Sequence, residues 1–145
     1  MQNHNDPLNI LLVEDDDGDA KAVERSFVKA RIGNRITRAV DGAEALDMLK
    51  GANGKPRMAF PRILIADLNM PRMNGIQLVK AIREDADEEI RNSIVFILTT
   101  SNRDEDKSAV YDHNVAGYIV KETAGRDFLE LVRLMESYGK LVELP

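Results

Sequence analysis

Residues 62–75, RILIADLNMPRMNG, set the strictest limit on how this chain can fold. Ile63-Leu64-Ile65-Ala66 is an unbroken apolar run, without alternation, that stops on Asp67. Such a run reads as a strand buried on both faces, in the interior of a parallel sheet. Asp67 then stands at the carboxyl end of that strand, where open α/β sheets bind their ligands. Taken alone, an Asp there is equally a turn or cap residue. Pro71 excludes immediate helix, and Asn74 with Gln77 three residues on makes a helix-opening pattern.

Four further runs surround this one. Ile10-Leu11-Leu12-Val13 ends on Glu14-Asp15-Asp16-Asp17. Ala20, Val23, Phe27 and Ala30 then form one helical stripe, capped by Asp16 or Asp17. Gly33-Asn34 breaks that helix, and Ile36 to Val40 is a short strand. Asp41 and Glu44 open a second helix through Ala45, Leu46 and Leu49. Residues 51–61 form a loop that is long for an α/β connection. Ile76, Val79 and Ile82 mark a third helix, and an acidic connection follows over 84–89. Ile94 to Leu98 ends on Thr99-Thr100-Ser101, and a polar helix over 103–113 has Ala109 and Val110 as its core candidates. Tyr118-Ile119-Val120 ends on Lys121, and Thr123 is placed to cap a last helix carrying Phe128, Leu131, Val132 and Met135, with Gly139 at its end.

Five strands alternating with helices predict an α/β fold, a doubly wound five-stranded parallel sheet with helices on both faces. Residues 1–8 read as a polar lead-in, 9–139 as one domain and 140–145 as an apolar tail, with no output domain expected. The chain has no cysteine, which excludes disulfides, thiol chemistry and cysteine-based zinc sites. No apolar run approaches the ~20 residues of a membrane span, and the polar start is no signal peptide. A net charge of −5 without a basic stripe argues against direct nucleic-acid binding. A cytoplasmic protein is the expectation.

The strand ends gain meaning when taken together. If the first and third strands are neighbours, Glu14, Asp15 and Asp67 converge. At ~4 Å two such charges repel by roughly 1 kcal/mol in water and ~4 kcal/mol at a surface-like dielectric. A divalent cation would relieve that repulsion, and hard oxygen donors without His or Cys suit Mg²⁺. The hydroxyl of Thr99 and the ammonium of Lys121 would add the hydrogen bonding and countercharge that a phosphoryl group needs.

ILLVEDD, LIADLNMPRMNG, ILTTS and GYIVK, in this order and spacing, resemble the receiver domain of two-component response regulators, over about residues 8–139. The resemblance implies the flavodoxin-like strand order 2-1-3-4-5, and Asp67 as the phospho-acceptor. It also implies a Mg²⁺ site made by Asp15 directly, Glu14 through water, Asp67, and the backbone carbonyl of Asn69. Thr99 and Tyr118 match the family's switch pair, Lys121 its lysine, and Asn69 and Ser101 its hydrolysis-tuning positions. The implied partner is a sensor histidine kinase, and the implied role is phosphorylation-dependent partner binding or relay, without separate substrate turnover. VEDDDGD and the long loop before the third strand further resemble short receivers paired with phytochrome-type kinases. One departure is Glu122, where the family has proline in a cis bond, a geometry costing ~2.5–4 kcal/mol before any other residue.

Two rival functions fit less well. A haloacid-dehalogenase-type phosphatase needs a second Asp where Asn69 stands, and its acidic pair follows the lysine. A flavodoxin-like FMN carrier needs a phosphate loop where Glu14 to Asp17 would repel the phosphate. Asp16, Asp17 and Asp19 read as cap or solvated charges, and His4 and His113 as non-catalytic. Arg72 and Met73 fall where they could line a pocket rim or serve only the loop. In the last helix Leu129, Leu134 and Tyr138 widen the apolar surface beyond its docking stripe, and Leu141, Val142 and Leu144 follow. That surplus predicts a symmetric homodimer through the final helix and tail.

Overall fold

The computed structural model describes residues 8–30, 35–59 and 62–142. The Gly33-Asn34 break, the lead-in through Pro7 with His4, the end of the long loop at Phe60-Pro61, and Leu144 lie outside the described residues. The elements are β1 (Asn9–Val13), α1 (Asp17–Lys29), β2 (Arg35–Ala39), α2 (Gly42–Lys50), β3 (Arg62–Ala66) and α3 (Gly75–Arg83), then α4 (Glu88–Arg91), β4 (Ile94–Thr99), α5 (Asp104–Tyr111), β5 (Gly117–Val120) and α6 (Leu129–Leu141). The strands form one five-stranded sheet, all parallel, in the order β2-β1-β3-β4-β5.

Alternate residues of the central strands serve two cores, because successive side chains of a strand point to opposite faces. Leu11, Val13, Leu64, Ala66, Val95 and Ile97 join α2, α3 and α5 on one side. Ile10, Leu12, Ile63, Ile65, Phe96 and Leu98 meet α1 and α6 on the other. Both faces are therefore buried, which is why the three inner strands carry apolar runs without polar alternation. The edge strands β2 and β5 are only partly covered.

The helix starts follow the sequence closely. Asp16 caps α1 by accepting from the Asp19 N–H, and Asn74 and Gln77 form a reciprocal capping box on α3. Asp41 caps α2 as expected, but the Glu44 carboxylate accepts from the Val40 N–H rather than from Asp41. Arg83, at the end of α3, donates to the carbonyls of Arg91, Ser93, His113 and Asn114. It laces together four segments at the amino-terminal edge of the sheet.

Several expectations are corrected. The acidic connection contains the short helix α4, capped by Asp87 and anchored by buried Ile90. Ala30 is an exposed C-cap outside the α1 stripe. Thr123 does not cap the last helix: its hydroxyl donates to the Val120 carbonyl within a 3-10 turn over Lys121–Thr123. A second turn, Arg126–Phe128, intervenes, and α6 starts only at Leu129, after Phe128 in a left-handed conformation. Gly139 does not end α6, which continues to Leu141 with the Val142 N–H bonded to the Tyr138 carbonyl. Tyr138 is not surplus apolar surface, since its ring meets Phe96 edge-on with centroids 5.3 Å apart.

Gly75 shows how tightly the loop after β3 is folded. A Cβ there would lie 2.5 Å from the Asp67 carbonyl oxygen and 2.8 Å from the Leu68 Cα. Both atoms are backbone and cannot swing aside. Gly75→Ala is therefore expected to cost about 1–3 kcal/mol of stability by overpacking. Urea denaturation measures it, and an unchanged midpoint would contradict the crowding.

Candidate functional site

The site arises from the reversal of strand order between β1 and β3. Val13 pairs with Ala66, so Glu14 and Asp67 are the next residues out on adjacent strands. The Asp67 N–H bonds to the Val13 carbonyl at 2.9 Å, and the Glu14 N–H to Ala39 at 3.0 Å. Thr99 pairs with Val120, which places Lys121 just beyond the end of β4. The expected convergence of strand ends is thus observed.

Glu14, Asp67 and Thr99 are buried, at 2%, 8% and 0% exposure, whereas Asp15 and Asn69 are exposed. Glu14, Asp15 and Asp67 each offer a carboxylate oxygen within 4.8 Å of the other two. The Lys121 ammonium donates to Glu14 Oε1 at 2.6 Å, Asp19 Oδ2 at 2.7 Å and Asp67 Oδ2 at 3.0 Å. The remaining oxygens are held by backbone: Glu14 Oε2 accepts from the Asp16 N–H, and Asp67 Oδ1 from the Asn69 N–H at 3.2 Å. The oxygen-only donor set, partly buried and open on the Asp15 side, fits a hard divalent cation such as Mg²⁺.

Charge crowding shows in the proton affinities. Burial, with the charge of Asp67 adding to it, pushes the Glu14 carboxyl up to about 7 against the opposing pull of Lys121. For Lys121, burial alone would favour the neutral amine. Its hydrogen bonds to Asp19, Glu14 and Asp67 outweigh that and raise its proton affinity overall.

A second set of contacts connects the site to the far side of β4. Thr99 Oγ1 accepts from the Ser101 N–H at 3.4 Å. The Ser101 carbonyl in turn accepts from the Tyr118 hydroxyl at 2.9 Å, and the Ser101 hydroxyl donates to Asp106 on α5. Ser101 is the joint through which Thr99 and Tyr118 touch. At the rim, Arg72 forms an ion pair with buried Asp41, and Met73 packs on Gly42 while its carbonyl accepts the Gly42 N–H. Both belong to a clamp between the β3–α3 loop and the start of α2.

Two residues escaped the sequence reading. Asp16 does cap α1, but Asp17 pairs with Arg38 at 2.7 Å and Asp19 with Lys121. Arg38 also donates from Nε to the Glu14 carbonyl, bracing β2 against the site. Helical side chains lean toward the helix amino terminus, so a first-turn acid on a helix rising from the pocket points back to its mouth. That lean was the available signal for Asp19.

The sequence matches the response regulator receiver domain over residues 10–133. It is 33% identical over 133 residues to the probable methanogenesis regulatory protein FilR2 of Methanothrix harundinacea, covering 92% of this chain and 84% of that protein. It is 29% identical over 142 residues to response regulator Rcp1 of Synechocystis, covering 97% of this chain and 95% of that one. The Mn²⁺-bound structure of Rcp1 superposes with a TM-score of 0.79 at 28% identity, over 96% of this chain and 99% of that chain. A response regulator in red light signaling of R. palustris gives a TM-score of 0.75 at 27% identity, over 96% and 98%.

A carboxyl that keeps its proton up to about pH 7 must release it before it can serve a cation. Mg²⁺ affinity is therefore expected to rise severalfold between about pH 6 and pH 8, read by calorimetry. The metal-free protein should lose stability as pH rises from 4.5 towards about 7, because the native state holds a proton that the unfolded chain gives up. Glu14→Gln should flatten both slopes. Equal affinity at the two pH values would refute the assignment.

Proposed function

This chain belongs to the response regulator receiver domain family of two-component systems, and on that premise we propose that it accepts a phosphoryl group on Asp67 from a histidine kinase. The observation that carries the reading is the Lys121 ammonium bonded at once to Asp67 and Glu14, beside the Asp15 carboxylate. The Asp67 carboxylate attacks the phosphorus of a phosphohistidine. A P–O bond forms, the P–N bond breaks, and its electron pair leaves with the imidazole. Mg²⁺, held by Glu14, Asp15, Asp67 and the Asn69 carbonyl, would neutralise charge on the incoming oxygens. Formation of the acyl phosphate takes the negative charge from Asp67, which frees one Lys121 N–H for a phosphoryl oxygen.

Thr99 supplies the signal. Its hydroxyl accepts one long bond, from the Ser101 N–H, and has a proton to donate toward the phosphoryl group. Drawing Thr99 inward loosens the Ser101 N–H and, through the Ser101 carbonyl, the Tyr118 hydroxyl. The equilibrium between two arrangements of α5, β5 and α6 shifts, and partners read that surface. Asn69 and Ser101 flank the phosphoryl group where they set its lifetime by screening or admitting water. The protein takes part in its own phosphorylation and dephosphorylation and has no separate turnover. A phytochrome-type kinase in the cytoplasm is the donor we favour, since the chain is also similar to the bacteriophytochrome response regulator AtBRR, at 25% identity and a TM-score of 0.72. Among the described residues no helix is long and apolar enough to cross a membrane.

Acetyl phosphate with Mg²⁺ should add one phosphoryl group to the wild type and none to Asp67→Asn, read by mass spectrometry. The same adduct on the variant would refute the assignment.

We further propose a homodimer through α6. Leu134 and Leu141 lie seven residues apart on one helical face, and Leu141 is 80% exposed. Light scattering at tens of micromolar is expected to give a dimer mass for the full chain and a monomer for Leu134→Glu/Leu141→Glu. A monomeric wild type with and without phosphorylation ends that proposal.

A further inference from the structure

Lys121 and the candidate cation would share two ligands but not the third. The carboxylates that converge for a cation are Glu14, Asp15 and Asp67. Those bonded to the ammonium are Glu14, Asp19 and Asp67. Asp15 belongs to the first set alone, and Asp19 to the second alone. The two also come from different elements, Asp15 from the loop after β1 and Asp19 from the first turn of α1. A cation held by Glu14, Asp15 and Asp67 would therefore compete with the lysine for two of its carboxylates and not for Asp19.

We propose that Asp19 is a positioning residue that holds the Lys121 ammonium at the pocket when the cation and the phosphoryl group claim its other partners. The proposal rests on the reading of Asp67 as phosphoryl acceptor. The ammonium has three N–H donors, and in the metal-free arrangement each serves one carboxylate. Phosphorylation removes the charge of Asp67, and the donor it releases turns to a phosphoryl oxygen. The donor to Asp19 stays in place, and the side chain, which has four rotatable carbons, stays extended toward Asp67. Asp19 itself is fixed by the helix: its N–H is bonded to the Asp16 cap at 2.7 Å. Its 36% side-chain exposure keeps it at the mouth, beyond the cation's three carboxylates.

Two measurements on Asp19→Asn test this, with melting curves to verify folding. In Mg²⁺-saturated protein, labelling of Lys121 by an amine-reactive reagent, read by peptide mass spectrometry, should be several-fold faster than in wild type. The Mg²⁺ dissociation constant from calorimetry should stay within about twofold, while the maximal rate of adduct formation from acetyl phosphate falls about tenfold. Asp19→Glu should recover most of that rate. Asp15→Asn is the contrast, losing Mg²⁺ affinity. An Asp19→Asn variant that labels and phosphorylates like wild type overturns the proposal, as does one that loses Mg²⁺ affinity like Asp15→Asn. If the wild type takes no phosphoryl group but Asp19→Asn labels faster, the anchor stands and the acceptor reading falls.

Discussion

One ammonium group in a cage of carboxylates holds this structure's functional end together. Lys121 leaves the end of β5 and reaches across the ends of β4 and β3 to Glu14, just past β1, bonding to Asp67 and Asp19 as well. Two of its partners are almost fully buried, and the lysine side chain is only 10% exposed. Charges so placed have lost most of their hydration, and only mutual pairing with complete hydrogen bonding offsets that cost. The pairing is incomplete by charge, since three carboxylates face one cation. Burial, with the charge of Asp67 adding to it, raises the proton affinity of Glu14, and the surplus negative charge makes the pocket receptive to a second cation.

The sheet makes this cage possible. Strand order reverses between β1 and β3, so the connections that follow them run to opposite faces and leave a crevice at their carboxyl ends. Short, stiff devices then keep the crevice in register. Gly75 lets the α3 start press against the Asp67 backbone, Asn74 and Gln77 close its first turn, and Asp41 with Arg72 fastens the intervening loop to α2. None of them touches the reacting atoms.

Much of this was legible in the sequence, for a physical reason. Glu14, Asp67, Thr99 and Lys121 each terminate an apolar run, so hydrophobic patterning alone places them at strand ends. The capping residues Asp16, Asp41 and Asn74 were legible because their partners lie within three residues. What escaped depends on distance along the chain. Asp19 meets Lys121 across 102 residues, and Tyr138 meets Phe96 from the opposite side of the same core, so no local period records either contact. The start of α6 was misplaced because left-handed Phe128 and the turn before it follow no capping pattern. The surplus apolar face of α6 shrank accordingly, to Leu129, Leu134 and Leu141.

The fan of bonds from Arg83 has a mechanical consequence. It secures the carbonyls of His113 and Asn114, just past the carboxyl end of α5, to the termini of α3 and α4 and the start of β4. The opposite end of α5 is held by far less: its N-cap, Arg103, makes no side-chain capping bond, and Asp106 receives one hydroxyl from Ser101. A rod pinned at one end and lightly tied at the other swings rather than slides. Any tilt of α5 about its Arg83 pivot would therefore be largest at the acidic tip Asp104-Glu105-Asp106.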